Sequence, residues 1–108
     1  MRILLDECVP RPLGKELVGH DVRTVPAMGW AGRKNGELLA LMAAAGFEVL
    51  VTTDRNLRHQ QDLAAHGVAA VLMIAVSNRL ADLVPLVPDV KAALRSLKPG
   101  AVVEVGTE

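Results

Sequence analysis

Glu48-Val49-Leu50-Val51-Thr52-Thr53-Asp54 is the stretch on which the fold turns. Val49, Leu50 and Val51 are apolar at both alternating positions, so the run reads as a strand covered on both faces. It ends at a carboxylate, Asp54. Near the start, Ile3-Leu4-Leu5 has the same form and stops at Asp6-Glu7. Three more short runs complete the set: Asp21-Val22-Arg23-Thr24-Val25, Ala70-Val71-Leu72-Met73-Ile74 and Ala101-Val102-Val103-Glu104-Val105. All are bounded by polar, Gly or Pro residues, and Ile3–Leu5 and Ala70–Ile74 are wholly apolar.

Helical periodicity fills the gaps. Pro12 to Val18 predicts a short helix with Pro12 in its first turn, where a missing N–H is not needed. Asn35 to Ala45 predicts a stronger one, because Leu38, Leu39, Leu41, Met42 and Ala45 recur at helical spacing and Gly46 supplies a stop. Asn56 to His66 places Leu57, Leu63 and Ala64 on one side and ends at Gly67. Asn78 to Leu97 is helical too, kinked or split by Pro85 and Pro88. Alternation of strand and helix predicts an α/β fold with a mainly parallel five-stranded sheet between helices on both faces. One domain takes up residues 1–108, since no second core fits that length. The direction of the last strand is left open, because a terminal edge strand can run either way.

Composition narrows the function. Twelve basic and twelve acidic side chains give a formal net charge of zero, so a polyanion has to be held by a local patch. The single cysteine, Cys8, cannot form an internal disulfide, which fits a reducing compartment. Met1-Arg2 leads straight into a strand rather than a signal peptide, and no apolar stretch approaches the roughly twenty residues of a membrane span. A soluble, cytoplasmic chain is expected.

In open α/β sheets, ligands bind beyond the carboxyl ends of the strands. Asp6 and Glu7 end the first strand and Asp54 the third, so they share one pocket if strand one lies between strands two and three. Glu37 sits one turn into the second helix, whose start faces the same end. Converging carboxylates repel one another, and a hard divalent cation such as Mg²⁺ or Mn²⁺ relieves the repulsion. Such an ion lowers the pKa of a bound water and stabilises charge developing on a phosphodiester. Acids at strand ends also cap helices and form turns, and Asp54 before Arg55-Asn56-Leu57 fits that role equally well. Spacing leaves both readings open.

Four segments in order resemble one family. Arg2-Ile3-Leu4-Leu5-Asp6-Glu7-Cys8-Val9-Pro10, Gly19-His20-Asp21-Val22, the helix at Glu37-Leu38-Leu39-Ala40-Leu41 and Val49-Leu50-Val51-Thr52-Thr53-Asp54-Arg55-Asn56-Leu57 are similar to small bacterial PIN-like domains. Members open with an LLDE-N-x-P stretch and continue with GHDV, an acidic helix start and a VTxDxDF-like segment. The resemblance runs from residue 1 to about 75 and is loose beyond. It implies a three-layer PIN-like α/β/α fold and a Mg²⁺- or Mn²⁺-dependent ribonuclease, in many relatives the toxin of a toxin–antitoxin pair. Carried over, Asp6 and Asp54 are the metal ligands, joined by Glu7 and Glu37, with Asp6, Asp54 and Glu37 catalytic. Two departures weaken the site: Asn35-Gly36 replaces an acidic pair before Glu37, and Asn56 stands where relatives carry a second acid.

Arg11, Arg33, Lys34, Arg55 and Arg58 are expected near the same edge, gripping RNA phosphates or simply balancing the acids. Pro26 to Lys34 is the longest irregular stretch, and its Met28 and Trp30 point to a protein interface, either a homodimer or a docked antitoxin. His20, His59 and His66 lack metal-ligand spacing and belong on the surface. Cys8 lies beside the acids without a His placed to activate it. Two alternatives stand beside the nuclease. Asp6-Glu7, Asp54, Ser77 and Lys98-Pro99 echo a response-regulator-like receiver, although Lys98 precedes the last strand instead of ending it. A catalytically degenerate binding module is the other.

Overall fold

The structure is a computed structural model that describes residues 1–57 and 60–107. Five strands form one sheet: β1 (Arg2–Leu5), β2 (Asp21–Thr24), β3 (Val49–Thr52), β4 (Ala69–Met73) and β5 (Val102–Val105). Their order is β2-β1-β3-β4-β5, and every neighbouring pair is parallel, the last strand included. Strand β1 therefore lies between β2 and β3. All of β3 and β4 is buried, as their lack of a polar face requires.

Alternate side chains of the strands feed two cores. Ile3, Leu5, Val49, Val51, Val71 and Met73 pack on one face against Leu13, Leu17, Leu83, Val90 and Leu94. Leu4, Leu50 and Ala70 pack on the other against Leu38, Leu39, Met42 and Leu63. Each such Leu or Val stabilises the fold by about 1.5–3 kcal/mol when fully buried. The three layers are thus helix, sheet and helix.

The helices follow the predicted pattern with local revisions. The segment expected as a helix over 12–18 is a 3-10 helix, Arg11–Glu16. Pro10 and Pro12 remove donors and Gly14 is a poor helix former, so six residues are all that form. Helix α1 is Asn35–Ala44, closed by Gly46 at φ +85°, where Phe47 N–H bonds Met42 O (2.9 Å). Helix α2 is Gln60–His66, later than Asn56, and Ala64 is exposed instead of facing the core. The prolines split the next helix as expected: α3 is Leu80–Leu83, a 3-10 turn covers Val84–Leu86, and α4 is Val87–Ser96 with Pro88 in its first turn. Among the described residues no helix is long and apolar enough to cross a membrane.

Two expectations about exposed groups are corrected. Trp30 does not project from its loop: it is half-buried, set edge-on to Phe47 with ring centroids 6.0 Å apart, and it packs with Met28 against the α1 core. Arg2 stacks on the same Phe47 ring, 4.4 Å from its centroid. A lone aromatic beside an open core edge gains more by filling it than by waiting for a partner. His20 is half-buried as well, and its Nδ1 is enclosed without a hydrogen-bond partner. His66 is exposed as expected, and His59 lies outside the described residues.

Candidate functional site

Parallel pairing of β1 with β3 puts Leu5 opposite Val51, so the residues that follow each strand emerge side by side. Asp6 still donates its N–H to Val51 O (2.9 Å), after which the chain turns, with Val9 N–H on Asp6 O. Thr52 is the only buried polar side chain among the described residues, and it joins the two strand ends. Its Oγ1 donates to Asp6 Oδ2 (2.7 Å) and accepts the N–H of Asp54 (3.0 Å). Cys8 Sγ lies 3.6 Å from the same hydroxyl. The other Asp6 oxygen, Oδ1, accepts the N–H of Glu7 (2.9 Å). Asp6 is thereby fixed in orientation before any ligand arrives.

Asp54 is held differently. Its Oδ1 accepts the N–H of Asn56 (2.9 Å), an Asx turn that carries the chain away from β3. Asn56 and Leu57 lie outside helix α2, so Asp54 forms this turn and is not that helix's cap. Asp6, Glu7, Cys8, Arg33, Thr53, Asp54, Arg55 and Asn78 line one open cleft of about 380 Å³. Three of the four predicted acids thus share a cleft, and two of the predicted basic residues flank them.

Glu37 does not join them. Its carboxylate pairs with Arg33 one turn earlier (3.2 Å), and both side chains are more than half exposed. Glu7 reaches back to the N–H of Gly32 at 3.3–3.4 Å, tying the Pro26–Lys34 loop to the cleft rim. Arg55 donates to Ala75 O (3.0 Å). Arg11 belongs to a neighbouring groove beside β2, Lys34 is exposed without lining the cleft, and Arg58 lies outside the described residues. Sequence reasoning passed over Thr52 and Asn78. Thr52 carried a usable signal, a hydroxyl closing an otherwise apolar buried strand; Asn78 carried none.

The donor set fits a hard divalent cation in one form. Mg²⁺ commonly takes one or two carboxylates and keeps several waters, and Asp6 and Asp54 can supply such a pair. Among the described residues no three His, Cys, Asp or Glu side chains are grouped closely enough to cage an ion. The receiver-like set does not assemble. Lys98 and Pro99 precede β5 at the amino-terminal edge of the sheet, where Gly100 N–H bonds Val68 O (2.7 Å), and Ser77 Oγ bonds Asp82.

Comparisons agree with this architecture. The profile of a family described as PIN like domain matches residues 1–77, which takes in β1 to β4 and every residue of the cleft except Asn78. Searches for similar curated proteins and similar solved structures returned no match. With most of its length matched, and with a parallel β2-β1-β3-β4-β5 sheet layered between helices, the chain belongs to the PIN-like domain family.

Proposed function

We propose that the chain is a Mg²⁺- or Mn²⁺-dependent ribonuclease acting in the cleft at Asp6 and Asp54. The observation that carries the reading is the Thr52 hydroxyl, which bonds the Asp6 carboxylate and the Asp54 main chain at once. Two carboxylates from neighbouring strands are thus presented to one cleft with Arg33 and Arg55 beside them. The family match supports a nuclease-type reading, since PIN-like domains generally use divalent metals.

Asp6 and Asp54 would hold the cation, and Glu7 lines the same cleft. A bound divalent ion would supply an activated water and neutralise charge on the phosphodiester. Thr52 and the Glu7 N–H keep Asp6 from rotating away, so no reorganisation is needed on binding. Arg33 and Arg55 offer positive charge where a phosphate would enter. Glu37 lies outside the cleft lining and pairs with Arg33, which lines it. The same reading makes an antitoxin protein or a second copy the natural partner, to be read by light scattering, where a mass of one chain counts against the homodimer.

Asp54→Asn tests the reading. The amide oxygen of Asn keeps the bond to Asn56 N–H, so the Asx turn survives and the carboxylate charge alone is removed. The expected outcome is loss of Mn²⁺-dependent cleavage of single-stranded RNA and weaker Mn²⁺ binding by calorimetry. Stability without metal should change by less than about 0.5 kcal/mol. A wild-type chain that binds no Mn²⁺ and cuts no RNA sinks the nuclease and leaves the binding module.

A further inference from the structure

We propose that the groove between β2 and the 3-10 helix Arg11–Glu16 is a track for the phosphate backbone of single-stranded RNA, separate from the acidic cleft. The identity of the polyanion rests on the ribonuclease reading; the place of the track rests on the groove itself. The groove measures about 540 Å³, and Arg11, Lys15 and Arg23 line it with Asp21 as the one acid. His20 joins it to a second cleft, of about 380 Å³, that adds Lys91 and Arg95 and no acid. Five cations and one acid therefore line two adjoining clefts of a chain whose formal net charge is zero.

Of the five cations in the two clefts, four are unpaired, and Arg23 alone bonds a carboxylate. Arg2, Arg23, Arg33 and Arg79 each pair with a carboxylate. Among the described residues, Arg11, Lys15, Lys91 and Arg95 make no ion pair and no side-chain hydrogen bond. Asp21 subtracts little, because Arg2 and Arg23 both bond its carboxylate. Unpaired cations lined along a concave surface focus a positive potential that attracts phosphates.

The groove also leads to the right place. Leu5 and Thr24 line it, Val25 N–H bonds Leu5 O (2.9 Å), and the next residue after Leu5 is Asp6. A strand laid along β2 arrives at the carboxylate end of β1. An acidic protein segment would satisfy the same cations, but only a substrate strand has to pass on to Asp6 and Asp54.

Fluorescence anisotropy with a labelled oligouridylate in EDTA reads this binding without cleavage. The variant Arg11→Gln/Lys15→Gln/Arg23→Gln is expected to bind at least about tenfold more weakly near 50 mM salt. The slope of log K against log salt should flatten by about 2, at roughly 0.7 for each phosphate no longer neutralised. All three side chains are exposed, and Arg11→Gln/Lys15→Gln, which keeps the Arg23–Asp21 pair, should show about two-thirds of the slope change. A charge-removal control, Lys98→Gln, should leave the slope as it is. Wild-type-like binding by the triple variant overturns the track even where Mn²⁺-dependent cleavage is seen. RNA binding that needs the three residues, in a chain that never cleaves, upholds the track and removes the nuclease. Polyglutamate competing as strongly as oligouridylate of equal charge overturns the RNA assignment in favour of an acidic protein segment.

Discussion

Thr52 is the residue on which the site depends most. Its side chain is fully buried, and it satisfies an N–H and a carboxylate that would otherwise face each other without a bridge. Thr52→Val keeps the shape and removes both hydrogen bonds, leaving the Asp54 N–H without this acceptor. We expect a loss of about 1–3 kcal/mol in urea unfolding, together with a lower affinity for Mn²⁺. Thr52→Ser restores the hydroxyl and gives up one buried methyl, so its cost should be nearer 1 kcal/mol with metal affinity regained. Equal metal affinity in Thr52→Val and wild type would show that the hydroxyl does not position Asp6. Two facts about this residue were visible in the sequence: it ends a strand, and it precedes an acid by two positions. That its hydroxyl reaches across to β1 was not, because Asp6 is 46 positions away and the approach depends on strand order.

At the level of elements, periodicity was a good guide to helices and a poor guide to loops. The Pro26–Lys34 loop showed two glycines, a Trp and a Met, a composition that suits an interface as well as a core edge. In the structure Trp30 fills a core edge against Phe47 and stays partly exposed. Trp30→Ala should therefore lower stability by about 2 kcal/mol, followed by circular dichroism, since the chain has no other Trp. A stability unchanged by that substitution would return Trp30 to the role of an interface residue. The end of β5 carries a different constraint. Gly106 has φ +87°, and a Cβ there would sit 2.3 Å from Ile74 O and 2.7–2.8 Å from the Leu86 methyls. Ile74 O belongs to backbone and cannot retreat, so Gly106→Ala should cost about 2–4 kcal/mol in thermal unfolding. A loss below about 0.5 kcal/mol would mean that the terminal strand gives way locally.

For the molecule as a whole, charge is balanced in number and segregated in space. Acids gather at the carboxyl ends of β1 and β3, and unpaired cations line the β2 edge and the neighbouring face of α4. Between them lies Asp21, whose carboxylate is bonded by Arg2 and Arg23. The hydrogen bond from Arg23 holds its carboxyl below the ordinary Asp value; desolvation opposes it, and the charge of Arg23 and the hydrogen bond from Arg2 add to the lowering. A depressed folded pKa means that the contribution is present above the unfolded value, about 3.9, and is lost as pH falls through the folded one. Asp21→Asn should accordingly flatten the fall in urea midpoint below about pH 4 and change little at pH 7, the effect being small for an exposed pair. A steeper acid limb in the variant would contradict the sign.

The sequence by itself determined the class of fold. Short apolar runs bounded by Gly and Pro, alternating with helical repeats, admit few arrangements other than a parallel sheet between helices, because each such signal lies within a window of ten or so residues. It also marked Asp6 and Asp54, since a carboxylate closing a buried strand stands out against its apolar neighbours. Only the tertiary structure decided which of the marked residues meet. Pairing β1 with β3 brought Asp6 to Asp54 across Thr52, Glu37 paired with Arg33 outside the cleft lining, and the 3-10 helix closed a basic groove against β2. Those outcomes depend on strand order, loop path and rotamer, which couple residues far apart in the chain and leave no periodic trace in it.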